Sequence, residues 1–203
     1  MITPARSYLV FDFETTGLHP VRNRIIQVGV CRVEDGEAVE RCGWLVNQGV
    51  ESEPEALKKH RISLADTLAR GIAPDASMAR LLAMMRAAPA CVGHNIHRFD
   101  VEFLLAEAKR LDIEPPECDD YFDTAAWYKG HKLRMSQRDG ESHRKYALRV
   151  LSIPVAGLYY SIPTCIAELG IDARESEMHD ASYDAYCTHL ILQALRRTRR
   201  EVD

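Results

Sequence analysis

The stretch Tyr8-Leu-Val-Phe-Asp-Phe-Glu-Thr-Thr-Gly17 decides the fold of this chain. A short apolar and aromatic run that ends at turn-forming residues is typical of a buried β-strand. Asp12 and Glu14 stand two residues apart at its end, so their side chains leave the strand on the same face. Two carboxylates at the end of a buried strand repel each other, and each is costly to remove from water. The sequence therefore predicts a strand and a group that offsets these charges.

Three kinds of partner can offset the pair. Arginine side chains can neutralise it, or one carboxyl can stay protonated. Alternatively, a divalent cation such as Mg²⁺ or Mn²⁺ can bind, because hard cations prefer oxygen ligands. Asp12 and Glu14 alone leave these alternatives open.

The elements around this strand predict an α/β fold with a mixed central sheet flanked by helices. Residues 25–33 and 38–46 flank the turn Glu34-Asp-Gly-Glu37, which favours a hairpin and an antiparallel meander of the first three strands. Capping and periodicity predict the remaining elements: helices over 54–68, 75–86, 99–111 and 181–197, a strand over 90–93, a strand or helix over 121–127, and a less regular excursion over 129–163.

Composition is ordinary for a soluble protein. The 203 residues suffice for one domain, with 46% hydrophobic and 28% charged residues. No membrane span or signal peptide is evident, which predicts a cytoplasmic protein without a membrane partner. The cysteines are scattered without a C-x-x-C pair, which favours reduced, buried thiols: Cys31, Cys42, Cys91, Cys118, Cys165 and Cys187.

Positive charge is concentrated although the net charge is −4. Residues 129–149 contain seven Lys/Arg against two acids, and a second basic run covers 196–200. The first run is the core of an expected basic insertion at about 129–160 within one domain over 1–203. Its cations either bind phosphates beside a catalytic cleft or form a solvated surface, and Tyr146, Tyr159 and Tyr160 are candidates for base stacking.

Two later acids and one histidine extend the candidate site. Asp100 heads the core-facing stripe of the helix over 99–111, although an acid in a first turn is often only a capping or dipole residue. Asp184 lies on the apolar side of the last helix. His179 lies in the preceding loop, where a histidine is usually structural or solvated, and Asp180 or Ser182 is the expected cap.

These segments together resemble the DEDDh exonuclease family, which includes the proofreading epsilon subunit of bacterial DNA polymerase III and RNase T. Three motifs carry the resemblance in the family's order, over residues 7 to 195: Phe11-Asp-Phe-Glu-Thr-Thr-Gly-Leu18, Gly93-His-Asn-Ile-His-Arg-Phe-Asp-Val-Glu-Phe-Leu104 and His179-x4-Asp184. The family's tyrosine branch requires a tyrosine four residues before Asp184, and that position is Asp180.

The resemblance implies an RNase H-like fold in which Asp12, Glu14, Asp100 and Asp184 bind two divalent cations, Mg²⁺ or Mn²⁺. It implies that His179 is the general base that takes a proton from the attacking water. Such a pair of metals stabilises charge on the attacking and leaving oxygens of a phosphodiester, and an imidazole suits proton abstraction near neutral pH.

Contacts with the terminal nucleotide are implied for eight residues: Thr15, Thr16, Leu18, Glu55, His60, His94, Asn95 and Phe99. For each of them, turn chemistry or packing is the alternative. Two departures from the family pattern stand out. Arg61 replaces a usual glycine, and the basic excursion makes the region before His179 long. No polymerase-binding tail is evident after the last helix.

The resemblance predicts a metal-dependent 3′-to-5′ exonuclease that releases nucleoside monophosphates from a DNA or RNA 3′ end, with single-stranded DNA as the expected substrate. An RNA-trimming or oligoribonuclease-type enzyme is the alternative. A binding module that lost its chemistry is a third reading, although it would not need to keep all five polar residues.

Overall fold

A five-stranded mixed sheet forms the centre of the protein in a computed structural model that describes residues 5–200. The strands lie in the order β3-β2-β1-β4-β5. The first three pair antiparallel, and β4 and β5 continue parallel to β1. The strands are β1 Tyr8–Thr15, β2 Ile25–Glu34, β3 Glu37–Leu45, β4 Cys91–Gly93 and β5 Phe122–Asp123.

The hairpin between β2 and β3 has the predicted tight turn. Asp35 and Gly36 have φ of 50° and 93°, the left-handed pair that matches the twist of two antiparallel strands. The predicted meander and the mixed sheet are confirmed. The sequence over 121–127 contains both of the predicted alternatives in succession, with β5 running directly into a helix.

Helices cover both faces of the sheet. Their bounds are α1 Pro54–His60, α2 Leu64–Arg70, α3 Pro74–Ala87, α4 Asp100–Arg110, α5 Thr124–Lys132, α6 His143–Leu151, α7 Ile162–Glu168 and α8 Ala181–Arg200. One apolar core joins the sheet to α3 and α4, with Leu9 and Phe11 from β1. The other joins it to α5, α7 and α8, with Tyr8 and Val10 from the opposite face of the same strand.

The single helix predicted over 54–68 is wrong. Helix α1 ends at His60, because Arg61 adopts a left-handed conformation with φ of 59°. A second helix then begins after Ser63, whose hydroxyl accepts from the backbone N of Asp66 in a complete capping box. The three residues between the helices turn the chain beside β1.

The excursion over 129–163 is more regular than predicted. Ser142 caps α6 and Ser161 caps α7, each through its hydroxyl and the backbone N three residues later. Helix α6 packs against α5 around Tyr146 and Val150 in a small core of its own. Within the described residues no helix is long and apolar enough to cross a membrane, and the six cysteines are free.

Candidate active site

The four predicted carboxylates and His179 line one cavity of about 590 Å³. Strand β1 contributes Asp12 and Glu14 from one face, as their spacing predicted. Asp100 comes from the first turn of α4, and Asp184 comes from the first turns of α8. Side chains from the two ends and the middle of the chain therefore meet at the end of the central strand.

A glycine pair brings α8 close enough to the sheet. Gly29 on β2 lies opposite Asp12 on β1 and opposite Gly43 on β3. A Cβ at Gly29 would stand 1.9 Å from the backbone carbon of Ala181, the first residue of α8. Gly43 is less crowded, since its Cβ would stand 3.2 Å from the Cβ of Ser182. The absence of side chains here lets the helix start beside Asp12.

Backbone hydrogen bonds hold two of the carboxylates in place. Asp100 is only 2% exposed, and its Oδ1 accepts from the backbone N of Phe13, between the two acids of β1, at 3.1 Å. Asp184 accepts from the backbone N of His179 through Oδ2 at 3.3 Å. This second bond fixes the loop before α8 relative to the helix.

The beginning of α8 has the predicted cap. The Asp180 Oδ1 atom accepts from the backbone N of Ser182 and of Tyr183, each at 3.1 Å. His179, one residue earlier, has φ of 69°, a left-handed conformation that is uncommon for a side-chain-bearing residue. The loop thereby turns the imidazole into the cavity, beside Asp184.

The four carboxyl groups of the cavity repel one another when they are ionised. Burial raises the pKa of Asp12 and of Asp100 well above the usual range, and for Asp12 the charges of Asp100 and Asp184 add to the effect. Burial and the Asp184 charge raise the pKa of Glu14 to about 8. Burial raises the pKa of Asp184 to about 6. The cluster is therefore costly to ionise without a bound cation.

The residues fit a divalent cation. Three residues each offer one ligand atom, and these atoms lie within 4.8 Å of one another: Glu14, His179 and Asp184. Asp184 Oδ1 is buried without a hydrogen-bond partner among the residues that the structure describes. Asp12 and Asp100 add oxygen donors on the same cavity wall, and an oxygen-rich donor set suits Mg²⁺ or Mn²⁺.

His179 is suited to act as a base. Burial lowers its pKa, and the positive charges of Lys59 and Arg61 lower it further. The imidazole is therefore mostly neutral at pH 7, with a free nitrogen lone pair.

Six of the eight residues predicted to contact the nucleotide line the cavity: Thr15, Leu18, His60, His94, Asn95 and Phe99. Two do not. The hydroxyl of Thr16 instead accepts from the backbone N of Arg24 at 2.9 Å and fixes the turn after β1. Glu55 is exposed in the first turn of α1 and does not line the cavity, although its neighbour Ala56 does.

His94 has a structural contact that the sequence did not predict. Its Nε2 donates to the carbonyl of Tyr160 at 2.5 Å, and its Nδ1 lies 2.9 Å from the hydroxyl of Thr124. Burial lowers its pKa to about 4. A neutral His94 thus ties the segment before α7 to the wall of the cavity.

The segment before α7 forms part of the cavity wall, and the sequence analysis did not predict this. Residues 158–164 line the cavity, and Tyr159 is 70% exposed. Leu18, which also lines it, is 73% exposed. Tyr159 was recognisable only as one of several tyrosines near the basic excursion. Lys59 was missed as well, because the lysine pair at the end of α1 also suits an ordinary helix terminus.

The seven cations over 129–149 were expected near the cleft, and the structure does not place them in the wall of the cavity. None of these described residues lines the cavity. Lys129 is 3% exposed and donates to the carbonyls of Leu151 and Ile153. Ion pairs within the fold engage Lys132 with Glu168, Arg144 with Glu102, and Arg149 with Glu141. These four cations help to hold the excursion together, whereas Arg134, Arg138 and Lys145 are exposed.

An α/β fold that brings four carboxylates together beside a histidine is the arrangement that the family resemblance predicted. The family model for RNase T exonucleases matches residues 9–192. The chain belongs to this family, within the DEDDh 3′-to-5′ exonuclease group, and its fold is the RNase H-like exonuclease fold.

Known proteins agree with this assignment. PolC-type DNA polymerase III of Latilactobacillus sakei is 27% identical over 113 residues, and that of Lacticaseibacillus paracasei is 28% identical over 115. These matches cover 56% and 55% of this chain and 8% of each polymerase. The structure of Escherichia coli exonuclease I with a dT13 oligonucleotide is similar with a TM-score of 0.75 and 21% identity, over 97% of this chain and 42% of the other. This chain therefore spans less than half of the proteins it resembles.

Proposed function

We propose that this protein is a metal-dependent 3′-to-5′ exonuclease that hydrolyses the terminal phosphodiester of single-stranded DNA and releases nucleoside monophosphates. The observation that carries the proposal is the convergence of Asp12, Glu14, Asp100, Asp184 and His179 in one cavity. The similar structures of E. coli exonuclease I contain single-stranded DNA oligonucleotides, which favours DNA over RNA as the substrate.

The four carboxylates would hold two divalent cations. Cations held there, Mg²⁺ or Mn²⁺, supply positive charge to the attacking and leaving oxygens of the phosphodiester. Asp100 and Asp184 are fixed by backbone donors, so the donor set is arranged before substrate binds. Preorganised charge of this kind needs no rearrangement during the reaction.

His179 acts as the general base in this proposal. Its imidazole is neutral near pH 7 and takes the proton of the attacking water as the oxygen forms its bond to phosphorus. The backbone bond from His179 to Asp184 keeps the imidazole beside the carboxylates. Proton abstraction by a positioned group contributes about 10²- to 10⁴-fold to the rate.

The apolar wall of the cavity binds the last nucleotide. Leu18, Phe99 and Tyr159 present apolar or aromatic surface to the cavity, and a base that stacks on such surface is bound without regard to sequence. Stacking of this kind requires an unpaired base. The wall therefore favours a single-stranded 3′ end.

A panel of end-labelled strands tests the proposal. With Mg²⁺, a 5′-labelled single-stranded DNA should shorten one nucleotide at a time, and a 3′-labelled strand should release labelled mononucleotide at once. Chelation should stop both reactions. Release from RNA at a rate that exceeds release from DNA would instead identify an RNA-trimming enzyme. Strands that bind in Mg²⁺ without any release would identify a binding module.

A further inference from the structure

The position of His179 determines the side on which the substrate strand leaves the cleft. In the proposed reaction, the leaving oxygen departs on the side of the phosphorus opposite the attacking water. His179 lies toward β2 and β3, because it precedes α8 and lines a second cavity together with Arg41 of β3. Strand β4 pairs with the other edge of β1. The loop between β4 and α4 therefore forms the side by which the upstream strand leaves, and we call it the β4 side.

The β4 side has an exposed arginine at the rim of the cavity. Arg98 directly precedes Phe99 and Asp100, which both line the cavity, whereas Arg98 itself does not. Its Nη1 lies 3.4 Å from the hydroxyl of Tyr160, and Tyr160 also lines the cavity. A cation thus lies just outside the cleft, on the side by which the upstream strand leaves.

The charge of Arg98 is not balanced by an acid in the described part of the chain. Its side chain donates there only to neutral oxygens, the Tyr160 hydroxyl and the carbonyl of Leu151, each at 3.4 Å. Hydrogen bonds of that length are weak. Glu102, which follows in the first turn of α4, pairs with Arg144 instead. The guanidinium of Arg98 therefore remains available to an anion.

A second cation increases the positive charge at this place. Lys129 is buried, and its Nζ lies 5.1 Å from the centroid of the Tyr160 ring. Burial lowers the pKa of Lys129, and the charge of Arg98 lowers it further. Two neighbouring cations repel each other, and a bound anion would relieve that repulsion.

The C-terminus of α6 accounts for Lys129 but not for Arg98. Lys129 donates to the carbonyls of Leu151 and Ile153 at 3.2 and 2.6 Å, where positive charge stabilises a helix. Arg98 adds a longer contact to the Leu151 carbonyl, which already accepts from Lys129. Its exposed guanidinium has N–H donors in a fork that matches the oxygens of a phosphate.

We propose that Arg98 binds one of the two backbone phosphates that follow the scissile phosphate on its 5′ side. The strand then leaves the cleft between the start of α4 and the segment before α7. This inference rests on the proposed function. A contact between an arginine and a backbone phosphate positions a strand without reading its sequence.

The test removes either member of the proposed contact. Arg98→Gln removes the cation. A single methylphosphonate in a 5′-fluorescein dT8 strand removes the charge of one phosphate, at the second, third or sixth linkage from the 3′ end. Affinity is measured by fluorescence anisotropy in Ca²⁺, with strand integrity checked by gel. Arg86→Gln is the control of equal charge, because Arg86 is exposed at the end of α3 and does not line the catalytic cavity.

Arg98→Gln should bind unmodified dT8 about tenfold more weakly at low salt, as expected for the loss of a hydrogen-bonded charged group. Its slope of log affinity against log salt should be shallower by about 0.7, the contribution of one phosphate contact on a single strand. Arg86→Gln should keep the wild-type slope. Wild-type affinity and slope in Arg98→Gln would overturn the inference.

The modified strands identify the partner of Arg98. A methylphosphonate at the second or third linkage should weaken binding to the wild type and to Arg86→Gln, and should have little further effect on Arg98→Gln. The modification at the sixth linkage should affect all three proteins equally. Equal losses in the wild type and Arg98→Gln at every linkage would show that Arg98 contacts no phosphate.

Folding is separated from binding by thermal unfolding and by Arg98→Lys. The melting temperature of Arg98→Gln should hold, since Lys129 still donates to the Leu151 carbonyl. Arg98→Lys should restore the salt slope and part of the affinity, because lysine keeps the charge without the fork. A lower melting temperature together with wild-type responses to the modified strands would assign Arg98 to structure alone.

The proposed function fails separately from this contact. A wild-type protein that shows the coupling between Arg98 and a phosphate but releases no nucleotide in Mg²⁺ is no exonuclease, yet it keeps the binding path. Release of nucleotide without that coupling would retain the exonuclease and remove Arg98 from the path of the strand.

Discussion

Asp184 shows how much of this site depends on single atoms. Its Oδ2 atom accepts a hydrogen bond from the backbone N of His179. Its Oδ1 atom is buried without a hydrogen-bond partner among the described residues. A buried acceptor without a donor costs free energy in the folded state. The free oxygen is therefore both a destabilising feature of the metal-free protein and an available ligand.

We predict that Asp184→Asn reduces turnover to background while the melting temperature of the metal-free protein holds or rises. The amide removes a charge from a repelling cluster and still accepts from His179. Nucleotide release and thermal unfolding in chelator measure the two effects. A large fall in the metal-free melting temperature would show that Asp184 is a structural acid instead.

The metal-free protein should lose stability as pH rises from about 4.5 to about 8. Burial and neighbouring charge raise the pKa of Glu14 from 4.5 to about 8, so the unfolded chain ionises before the folded one across this range. Each unit of such a difference corresponds to about 1.4 kcal/mol. Glu14→Gln should flatten the decline, and saturating Mn²⁺ should flatten it in the wild type. A stability that increases with pH over this range would contradict the raised pKa.

His179→Ala should reduce turnover by about 10²- to 10⁴-fold and leave Mn²⁺ binding measurable by calorimetry. The lowered pKa of His179 places the acid limb of the wild-type rate profile below pH 6.5. The variant should lack that limb. Wild-type rates, or an unchanged profile, would remove His179 from the proton transfer.

At the scale of elements, the sequence predicted what local chemistry determines and missed what tertiary contacts determine. Strand β1, the β2–β3 hairpin and the acid at the start of α4 follow from apolar runs, turn residues and helix periodicity. The break between α1 and α2 did not follow from local pattern, because arginine itself does not indicate a left-handed conformation; only the family's usual glycine at position 61 pointed to one. The excursion was underrated because its order depends partly on ion pairs between distant residues, such as Lys132 with Glu168. Its capping serines are local signals that the sequence analysis missed.

The residues of the candidate site also fall into those that local sequence predicts and those that tertiary contacts determine. Asp12, Glu14, Asp100, His179 and Asp184 could be named from motif spacing. The wall at Tyr159 could not, because its place depends on His94 donating to the Tyr160 carbonyl from another element. Thr16 and Glu55 were named from the family resemblance, and neither lines the cavity.

The segment before α7 supplies a prediction of its own. Tyr159→Ala should raise KM for single-stranded DNA by about tenfold, since stacking on an aromatic ring contributes about 1–3 kcal/mol per base. Tyr159→Phe should retain the wild-type KM, because the ring remains. Leu148→Ala, at an exposed position on α6 that lines no part of the cavity, serves as the control. Equal KM values for all three variants would exclude a stacking role.

At the scale of the whole molecule, the site is closed by contact between a strand from one end of the chain and a helix from the other. The contact passes through Gly29 on β2, which lies opposite Asp12. No pattern within either segment shows that they meet. This is why the sequence predicted the clustered acids but not the contact between α8 and the sheet that brings them together.

Gly29→Ala should therefore destabilise the protein strongly, and Gly43→Ala should destabilise it only slightly. The added methyl at position 29 overlaps the backbone of Ala181, whereas the methyl at position 43 lies 3.2 Å from the Cβ of Ser182 and 3.2 Å from the carbonyl oxygen of Val28. Overpacking of this kind costs about 1–3 kcal/mol, and displacement of α8 moves Asp184 away from β1. Thermal unfolding and Mn²⁺ affinity should both decline in the order wild type, Gly43→Ala, Gly29→Ala. Equal values for the two variants would show that α8 does not depend on this contact.

The packing of α8 on Gly29 and Gly43 also affects the newly synthesised chain. Synthesis releases Asp12, Glu14 and Asp100 from the ribosome well before Asp184, and α8 can settle on Gly29 and Gly43 only after it has emerged. Until then the nascent protein lacks the helix that completes one of its two apolar cores, and it lacks one of its four acidic side chains at the cleft. Nuclease activity would therefore begin only when α8 packs against the sheet. During synthesis, the growing chain would have no assembled active site that could cleave nearby nucleic acids.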